Sequence, residues 1–464
     1  MKILQEEKYI KTDLMVVFLN KVINFSKEDK YSSLTLKNSG FTGKKGQIVI
    51  NGSQVIVGTK GVKTKDDWRE LGFSISKKLN SLVESIKIKV PAKSQDFIEG
   101  LYLGVYSFDK YKSKPTKSKL KKIILKSNSD LSEVMNRAKV KTQSQCLTRD
   151  WVNTSPEDAH SGTIEKAVIK EFKNNPNIKV TVYGEKDLKK FGMNGHLSVN
   201  RASRHEAKTI KIEYTPTLQS KKQKHVVLIG KGLTFDSGGL SIKPGNSMVN
   251  MKCDKAGAMS VFGIMRGISK LEQGTKVTAY LGIAENMIDG TAYKPDDIIT
   301  MMNGKTVHVK NTDAEGRIVL ADQISLAQKQ NKKIDEIYTF ATLTGAAVYQ
   351  FNGEATAMVG FNDKMKSKIK KVGEKEGEIF MNAEFHKYML KGVDDSLADL
   401  SNTGTPNMGC QKAGLFLTNF VIKKNKNKYL HLDIAGPAFI DKPFGTNVSG
   451  GTGVTVRSLI EYLK

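Results

Sequence analysis

The stretch NTDAEGR, residues 311–317, places two carboxylates and a guanidinium within five positions. Asp313, Glu315 and Arg317 are residue types that bind cations and anions, so the stretch could hold metal ions or a charged substrate. A structural alternative, the start of a helix, is the favoured interpretation when the stretch is taken alone. Thr312 and Glu315 have the spacing of a capping box, which satisfies the unpaired amides at the start of a helix. The stretch alone leaves both alternatives open.

A second group of charged residues follows the apolar run HVVLIG, which has the pattern of a buried strand. Lys231, Asp236 and Lys243 come next, in a glycine-rich segment that predicts a loop at the strand's end. Asp254 stands just before a predicted helix. A phosphate-binding loop is the rival interpretation, but Lys231 lacks the P-loop spacing of Gly, Lys and Ser or Thr. The sequence therefore argues against a nucleotide-binding loop.

Together these segments place four carboxylates at one edge of the predicted sheet: Asp236, Asp254, Asp313 and Glu315. Carboxylates so close would repel one another, and most would be protonated without compensating charge. Two divalent cations balance four negative charges, and carboxylate-rich sites without Cys ligands suit paired Zn, Mn or Mg ions. Lys231 could join as a neutral amine, because an adjacent dication lowers the pKa of an ammonium. We therefore expect two divalent metal ions here.

Alternating apolar and helical patterns predict an α/β fold with a mixed central sheet that is covered by helices on both faces. After Pro156 the strand-like runs are IKVTVYG, TIKIEY, HVVLIG, KVTAYLGIAE, EIYTFATL and YLHLDIAG, and helices are expected near 255–271, 314–330 and 410–423. Before residue 129 the pattern predicts a small α/β domain with strands SSLTLK, GQIVI, SQVIVG, SIKIKV and KKIILK. A long helical stripe over 129–152 predicts a connecting helix. The expected organisation is a domain at 1–128, the connector at 129–152 and a larger α/β domain at 153–464.

The bulk properties bound the class of protein. With 464 residues, 39% of them hydrophobic, the chain can build two domains with cores, which argues against wholesale disorder. The first twenty residues have neither the charge pattern nor the apolar length of a signal peptide or a membrane span. Cys146, Cys253 and Cys410 are scattered, which favours a reducing compartment and argues against a disulfide framework.

The charge of the chain is strongly basic, with a net value of +27. Residues 110–126 contain eight lysines and no acidic residue. Such a face could bind nucleic-acid phosphates or anionic lipid. The alternative is a solvated surface, which the scarcity of Arg and aromatic residues in the run favours.

Five segments in chain order carry a resemblance to a known family: GKGLTFDSGGLSIKP, MKCDKAGA, ENMIDGTAYKPDDI, NTDAEGR and ATLTGA. They resemble the motifs of the leucine aminopeptidase family, the cytosolic dinuclear-metal aminopeptidases, and NTDAEGR looks like that family's signature. The resemblance covers the C-terminal part of the chain and implies that 153–464 is a metallo-aminopeptidase domain. It implies a cytoplasmic metalloprotease that releases N-terminal amino acids from peptides, with leucine-like residues preferred, and that assembles as a homohexamer. Some relatives are DNA-binding accessory proteins, so a regulatory DNA-binding protein on the same fold is the alternative.

The resemblance also implies a role for each matching residue. Two ions, Zn or Mn, would be bound by Lys231, Asp236, Asp254, Asp313 and Glu315, with Asp236 and Glu315 bridging them. A metal-bridging water would attack the peptide carbon, Lys243 would stabilise the oxyanion, and Arg317 would hold a bicarbonate that serves as general base. Substrate contacts would fall on Met251, Asn311, Thr342, Leu343 and Gly345. Cys253 stands where relatives usually carry a small residue, and we expect it to be a buried filler.

Overall fold

The structure, a computed structural model, describes residues 1–6, 12–19, 36, 38–91, 94–217, 223–384, 386–389, 391–404 and 407–464. It divides into two compact units. Unit 1 comprises Met1–Cys146, Lys375–Gly377 and Pro443–Asn447, and unit 2 comprises Leu147–Glu374, Glu378–Lys442 and Val448–Lys464. The domain bounds expected from the sequence, 1–128, 129–152 and 153–464, stay a prediction.

Unit 1 contains a six-stranded sheet in the order β1-β6-β5-β2-β4-β3. Its strands are β1 (Lys2–Gln5), β2 (Leu14–Leu19), β3 (Ile48–Asn51), β4 (Gln54–Gly58), β5 (Ser85–Lys89) and β6 (Lys122–Lys126). Strands β1 and β2 were not predicted, and the predicted strand at 32–37 lies outside the described residues apart from Leu36. The helices are α1 (Lys65–Leu79), α2 (Ser94–Leu103) and the start of α3 (Ser132–Asn153). Helix α1 begins at a capping box formed by Thr64 and Asp67.

Unit 2 contains the larger sheet and several short strands outside it. Its strands are β7 (Ile178–Tyr183), β8 (Lys208–Tyr214), β9 (His225–Asp236), β10 (Lys276–Asn286), β11 (Ile298–Thr300), β12 (Thr306–His308), β13 (Glu336–Ala341), β14 (Ala355–Val359), β15 (Ile379–Asn382), β16 (Leu400–Ser401), β17 (Tyr429–Asp433), β18 (Phe439–Ile440) and β19 (Gly450–Gly451). Eight of them form one sheet in the order β15-β14-β17-β13-β9-β10-β8-β7, and β11, β12 and β16 form a small separate sheet. The large sheet is mixed, because β9 pairs in parallel with β10 and β13 whereas β8 pairs antiparallel with β10.

The helices of unit 2 follow the predicted alternation with the strands. They are the end of α3, then α4 (Ser161–Phe172), α5 (Glu185–Phe191), α6 (Asn194–Asn200), α7 (Ala256–Lys270), α8 (Glu315–Gln330), α9 (Gly345–Gln350), α10 (Asp363–Glu376), α11 (Gly409–Thr418) and α12 (Val456–Tyr462). The predicted helix at 255–271 is one residue longer than α7 at each end, and the one at 314–330 starts one residue before α8. The helix expected at 410–423 already ends at Thr418. The predicted fold class, α/β with a mixed central sheet covered by helices, is confirmed. In the described part of the chain, no helix is both long enough and apolar enough to cross a membrane.

Strand β9 shows how the sheet is buried on both faces. Val226 and Leu228 belong to one hydrophobic core, which also contains Met259 of α7. Val227 and Ile229 point to the opposite face and belong to a second core, which also contains Ile318 of α8. Because side chains alternate along a strand, a strand between two helical layers must be apolar at every position. Helices α7 and α8 therefore pack on opposite faces of β9.

Candidate active site

Two of the predicted site residues, Lys231 and Asp236, lie within β9 itself. The predicted position in a loop is wrong for these two residues and holds only for Lys243. Gly238 and Gly239 do lie in the turn after β9, but Gly232 is a packing residue within the strand, because a Cβ there would lie 2.5 Å from Ile283 Cδ1 and 3.0 Å from the Ala258 Cβ. Glycine at that position lets α7 pack closely against β9 while the strand continues.

Helix α8 begins beside β9, and a second glycine allows this approach. Gly316 lies under Lys231, and a Cβ there would come within 2.4 Å of the Lys231 Cε. The glycine of NTDAEGR therefore leaves room for the lysine side chain, so that Lys231 reaches Glu315 at the first residue of α8. Two segments that are far apart in the sequence thereby become neighbours.

All twelve residues predicted for the site line one cavity of about 490 Å³ in unit 2. These residues are Lys231, Asp236, Lys243, Met251, Asp254, Asn311, Asp313, Glu315, Arg317, Thr342, Leu343 and Gly345. The cavity is also lined by Cys253, a half-buried residue whose thiol pKa is raised to about 12 by burial. A protonated thiol is a poor nucleophile and a poor ligand, which agrees with a packing role for Cys253.

The turn after β9 is fixed to the NTDAEGR stretch by Thr312. Its hydroxyl donates to the Gly238 carbonyl at 2.6 Å and accepts the Ser241 amide at 2.7 Å. Gly238 has a φ of +86°, a conformation that glycine adopts without strain. The N-cap position of α8 is Ala314, with no side-chain capping bond. The capping-box alternative for Thr312 and Glu315 is therefore wrong, because Thr312 bonds the turn instead.

Four carboxylates and two ammonium groups form an ionic network on the cavity wall, in which Lys231, Asp236, Asp254 and Glu315 are buried and Lys243 and Asp313 are partly exposed. The contacts of Lys231 Nζ are Asp254 Oδ1 at 2.8 Å and Glu315 Oε1 at 2.8 Å, and those of Lys243 Nζ are Asp236 Oδ2 at 2.7 Å and Asp313 Oδ1 at 2.5 Å. One oxygen of each of three carboxylates, those of Asp236, Asp313 and Glu315, lies within 4.8 Å of the other two. Such spacing is short enough for several carboxylates to share cations.

The burial of these groups changes their pKa values. Burial and the nearby Asp236 carboxylate raise the pKa of Glu315 to about 8, and burial also raises the pKa of Asp254. Burial by itself would lower the pKa of Lys231, but the carboxylates of Asp254 and Glu315 outweigh it and raise that pKa. The network therefore favours added positive charge, which stabilises the ionised carboxylates.

Arg317 lies on the same wall in a different environment. Its Nη1 donates to the Asn402 carbonyl at 2.8 Å, and its Nε has no hydrogen-bond partner among the described residues. Burial lowers the pKa of the guanidinium to about 10, so it stays protonated at neutral pH. A buried guanidinium with a free donor is suited to bind an anion that enters the cavity.

Sequence reasoning missed several residues that hold the site together. Asn286 donates to Asp236 Oδ1 at 2.8 Å, and Asp433 accepts the Leu343 amide at 3.1 Å and the Thr344 hydroxyl at 2.7 Å. Asn286 stands in the motif ENMIDGTAYKPDDI, which could have signalled it. Asp433 ends the predicted strand run YLHLDIAG, where its burial gave no distinguishing pattern.

Comparison with known proteins identifies related chains. The profile of the catalytic domain of the cytosol aminopeptidase family matches residues 146–460. A protein of Helicobacter hepaticus described as a probable cytosol aminopeptidase is 37% identical, over 92% of this chain and 91% of its own length. A protein of Campylobacter jejuni with the same description is 35% identical, over 98% of this chain and 96% of its own length.

Two solved structures share the fold. A bottromycin maturation enzyme, BotP, in complex with Mn superposes with a TM-score of 0.88 at 27% identity, covering 98% of this chain and 99% of its own. A tomato leucine aminopeptidase superposes with a TM-score of 0.89 at 24% identity, covering 100% of this chain and 96% of its own. The second likeness concerns the fold alone.

Proposed function

Because this chain belongs to the cytosol aminopeptidase family and is a metal-dependent aminopeptidase, we propose that its cavity binds two divalent metal ions and releases leucine-like N-terminal residues from peptides. The observation that carries the proposal is the network of four carboxylates, three of them buried, on the wall of one cavity. A peptide with a leucine-like N-terminal residue carries a free amine, which a metal ion can bind, and an apolar side chain, which needs an apolar pocket. The cavity lining has residues for both.

The donor set fits metal ions. Glu315 Oε2 and Asp254 Oδ2 are buried and have no hydrogen-bond partner among the described residues. A buried carboxylate oxygen without a partner costs free energy, and coordination of a cation removes that cost. The three carboxylates of Asp236, Asp313 and Glu315 offer oxygens close enough to be shared between ions.

We assign the ligands as follows. Asp236 and Glu315 would bridge the two ions, Asp313 would complete one site, and Lys231 with Asp254 would complete the other. Lys231 would act as a neutral amine, because a neighbouring dication lowers the pKa of an ammonium. When bound, the two ions supply Lewis acidity and a nucleophilic water. Zn and Mn are our candidates for the native metals.

The remaining charged residues act on the substrate. Lys243 lies beside Asp236 and Asp313 with its side chain 13% exposed to the cavity, so its ammonium can stabilise an oxyanion that develops on the scissile carbonyl. Arg317 can bind a carboxylate-shaped anion through its free donor, and bicarbonate, which could accept a proton, is our candidate.

Five lining residues would contact the peptide: Met251, Asn311, Thr342, Leu343 and Gly345. Thr342 is already tied to the charged network, since its hydroxyl donates to Asp254 and its carbonyl accepts from Lys231. The backbone between Thr342 and Gly345 can therefore present polar groups to the substrate, while Met251 and Leu343 offer apolar surface to a leucine-like side chain.

One experiment tests the metal site and the reaction together. Purified protein should contain two metal ions per chain, and chelation should abolish hydrolysis of leucine p-nitroanilide, which Zn or Mn then restores. N-acetyl-leucine p-nitroanilide should not be cleaved, because we propose that the free α-amine binds a metal. Full activity in metal-free protein, or equal turnover of the acetylated substrate, would contradict the proposal.

We also propose a cytoplasmic homohexamer, which the resemblance to the leucine aminopeptidase family supports and light scattering after gel filtration would test.

A role as a DNA-binding accessory protein is not favoured, since the comparisons support an aminopeptidase. DNA as an additional partner rests on the lysines of residues 110–126, all of which are exposed. If they bind phosphates, duplex affinity should fall steeply between about 50 and 200 mM salt; absence of a shift at low salt would reject DNA as a partner.

A further inference from the structure

Asn402 lies directly after β16 and is completely buried beside the NTDAEGR stretch. Strand β16 pairs in parallel with β12, and the Asn402 amide donates to the His308 carbonyl at 3.1 Å. This pairing brings Asn402 next to Lys310 and Asn311, residues about ninety positions earlier in the chain. Asn402 itself does not line the cavity.

The side chain of Asn402 binds the backbone on both sides of Asn311. Its Oδ1 accepts the Lys310 amide at 2.9 Å and the Asn311 amide at 3.3 Å, and its Nδ2 donates to the Asn311 carbonyl at 2.6 Å. A carboxamide has an acceptor and a donor at adjacent positions, which an aspartate or a leucine of the same shape lacks. The pairing therefore fixes the orientation of the Asn311 peptide.

The fixed peptide leads to the charged residues. The Asn311 side chain accepts the Asp313 amide at 2.7 Å, so the position of Asn311 determines where Asp313 lies. The main-chain carbonyl of Asn402 accepts from Arg317 Nη1 at 2.8 Å, which is the hydrogen bond that orients this guanidinium. One buried residue thus contacts the stretch at its start and near its end.

We propose that Asn402 is a positioning residue of the aminopeptidase reaction, holding Asn311 and Arg317 in the geometry that the cavity needs. The proposal rests on the roles assigned to Asp313 and Arg317 under Proposed function. Asn402 touches neither the substrate cavity nor any assigned metal ligand directly, so its effect must pass through these neighbours. Residues that orient functional groups in this way typically change activity by about 10- to 100-fold when they are replaced.

The test compares Asn402→Ala with Asn425→Ala. Asn425 is also buried, and its side chain donates to Gln328 on α8, away from the cavity lining. Both substitutions should lower the melting temperature. Only Asn402→Ala should lower kcat for leucine p-nitroanilide, by about 10- to 100-fold with KM within about twofold. Asn402→Asp, which keeps the shape and the accepted amides but loses the donated bond, should also lower kcat and serves if Asn402→Ala does not fold.

A double substitution shows whether the effect of the Asn402 side chain passes through Asn311. In an Asn311→Ala background, which lacks the bond from the Asp313 amide to the Asn311 side chain, Asn402→Ala should lower kcat by a smaller factor than in the wild-type protein, because residues that act together are not additive. Equal factors in both backgrounds would overturn the proposal. So would an Asn402→Ala protein with wild-type kcat and a lower melting temperature, since that result describes a purely structural residue.

A calorimetric titration with Mn²⁺ separates this proposal from the proposed metal site. The proposed site fails if the wild-type protein takes up no Mn²⁺. The Asn402 proposal predicts that Asn402→Ala still binds two Mn²⁺ per chain, although with weaker affinity, because its side chain contacts no assigned ligand and reaches Asp313 only through Asn311. Loss of Mn²⁺ binding in this variant, with wild-type binding intact, would overturn the positioning role and indicate that Asn402 is needed to form the site.

Discussion

A cluster of buried charged residues in unit 1 and another in unit 2 differ in whether their polar atoms have hydrogen-bond partners. In unit 1 the Arg69 guanidinium is completely buried and contacts four carboxylates, those of Asp66 at 2.7 Å, Asp96 at 2.7 Å, Glu99 at 2.9 Å and Glu376 at 3.7 Å. Lys141 adds contacts to Glu99 at 3.1 Å and to Glu376 at 2.7 Å. Among the described residues, none of these six has a buried side-chain nitrogen or oxygen that lacks a hydrogen-bond partner.

The cluster in unit 2 has similar groups in a different arrangement. Lys231 and Lys243 each contact two carboxylates, but Glu315 Oε2 and Asp254 Oδ2 are buried without a partner, and the residues line a cavity. Buried charge is therefore not enough to identify a functional site, since ion networks within a core are common structural features. The distinguishing features are buried carboxylate oxygens without partners and access from a cavity. The predictions that follow test this distinction.

The largest effect that we expect is on turnover. Glu315→Gln keeps the shape of a buried side chain in unit 2 and removes one negative charge from the proposed metal ligands. We expect kcat to fall at least about a thousandfold, equivalent to about 4 kcal/mol in the activation barrier. Steady-state hydrolysis of leucine p-nitroanilide at saturating Mn²⁺ measures the change.

Glu99→Gln is the matched control in unit 1. Glu99 is also completely buried and also contacts a lysine, Lys141, but it lines no part of the substrate cavity. This variant should keep kcat within about twofold and lose stability, because a hydrogen bond to a charged group contributes about 1.5 to 3 kcal/mol. A similar loss of kcat in both variants would mean that the two clusters do not differ in the way we describe.

A smaller effect is expected on the stability of unit 1. Arg69→Met removes the guanidinium that compensates Asp96, Glu99 and Glu376, so these carboxylates would be buried with less positive charge. Breaking a buried ion network in this way should cost about 3 to 5 kcal/mol of unfolding free energy. Urea unfolding followed by Trp68 fluorescence, in a Trp151→Phe background, reports on unit 1.

Lys121→Met is the control for that measurement. Lys121 pairs with Glu84 in an exposed ion pair, with side chains 66% and 65% accessible. Exposed pairs contribute about 1 kcal/mol or less, so this variant should unfold almost as the wild-type protein does. Comparable losses of unfolding free energy in Arg69→Met and Lys121→Met would show that the buried network of unit 1 contributes no more to stability than an exposed ion pair does.

The sequence singled out residues that the structure brings together in one cavity, but it did not predict the buried charges of unit 1. Asp236, Asp254 and Glu315 stand in motifs with fixed spacing, and the ends of parallel strands bring such motifs to one sheet edge. Arg69 and Glu376 are far apart in the chain and carry no motif, so their pairing depends on the packed structure. The charge pattern of residues 110–126 suggested a basic surface, either solvated or able to bind phosphates, and gave no sign of a buried charge cluster in unit 1.

The error at β9 and the omission of Asn402 have similar physical causes. Glycines near Lys231 looked like loop residues, but they serve the close approach of α7, which depends on a helix elsewhere in the sequence. Asn402 is one of several polar residues in LSNTGTP, and nothing local distinguishes it. Its partners are joined to it only through the pairing of β12 and β16. Such long-range contacts are not visible in local patterns.

The smallest predicted effect concerns a third buried group, the neutral imidazole of His196 in unit 2. Its Nε2 lies 2.9 Å from the Ile283 carbonyl and its Nδ1 lies 3.0 Å from Gln323 Nε2. A neutral ring that donates through Nε2 and accepts at Nδ1 satisfies both partners, whereas a second proton at Nδ1 would face an amide donor. Burial lowers the pKa of His196 to about 4. Like the unit 1 cluster, this group has complete partners, so we expect it to affect stability and not turnover.

The pH dependence follows from the sign of that shift. A histidine with a pKa of about 4 in the folded protein and 6.5 when unfolded takes up protons preferentially on unfolding. Its contribution to stability is complete above pH 6.5 and is lost as the pH falls toward 4, by about 2 kcal/mol between pH 7 and pH 5. His196→Gln lacks this titration, so its urea midpoint, followed by Trp151 fluorescence in a Trp68→Phe background, should fall less on acidification than that of the same protein with His196.

Asp322, whose carboxylate accepts the His196 amide at 3.0 Å, has a pKa raised to about 7 by burial and opposes the trend. Because Asp322 is present in both proteins, the difference between them isolates His196 to a first approximation. Parallel pH profiles would show that protonation of the imidazole is tolerated in the fold, and a pH-independent loss of kcat in His196→Gln would contradict the view that groups with complete partners affect stability alone.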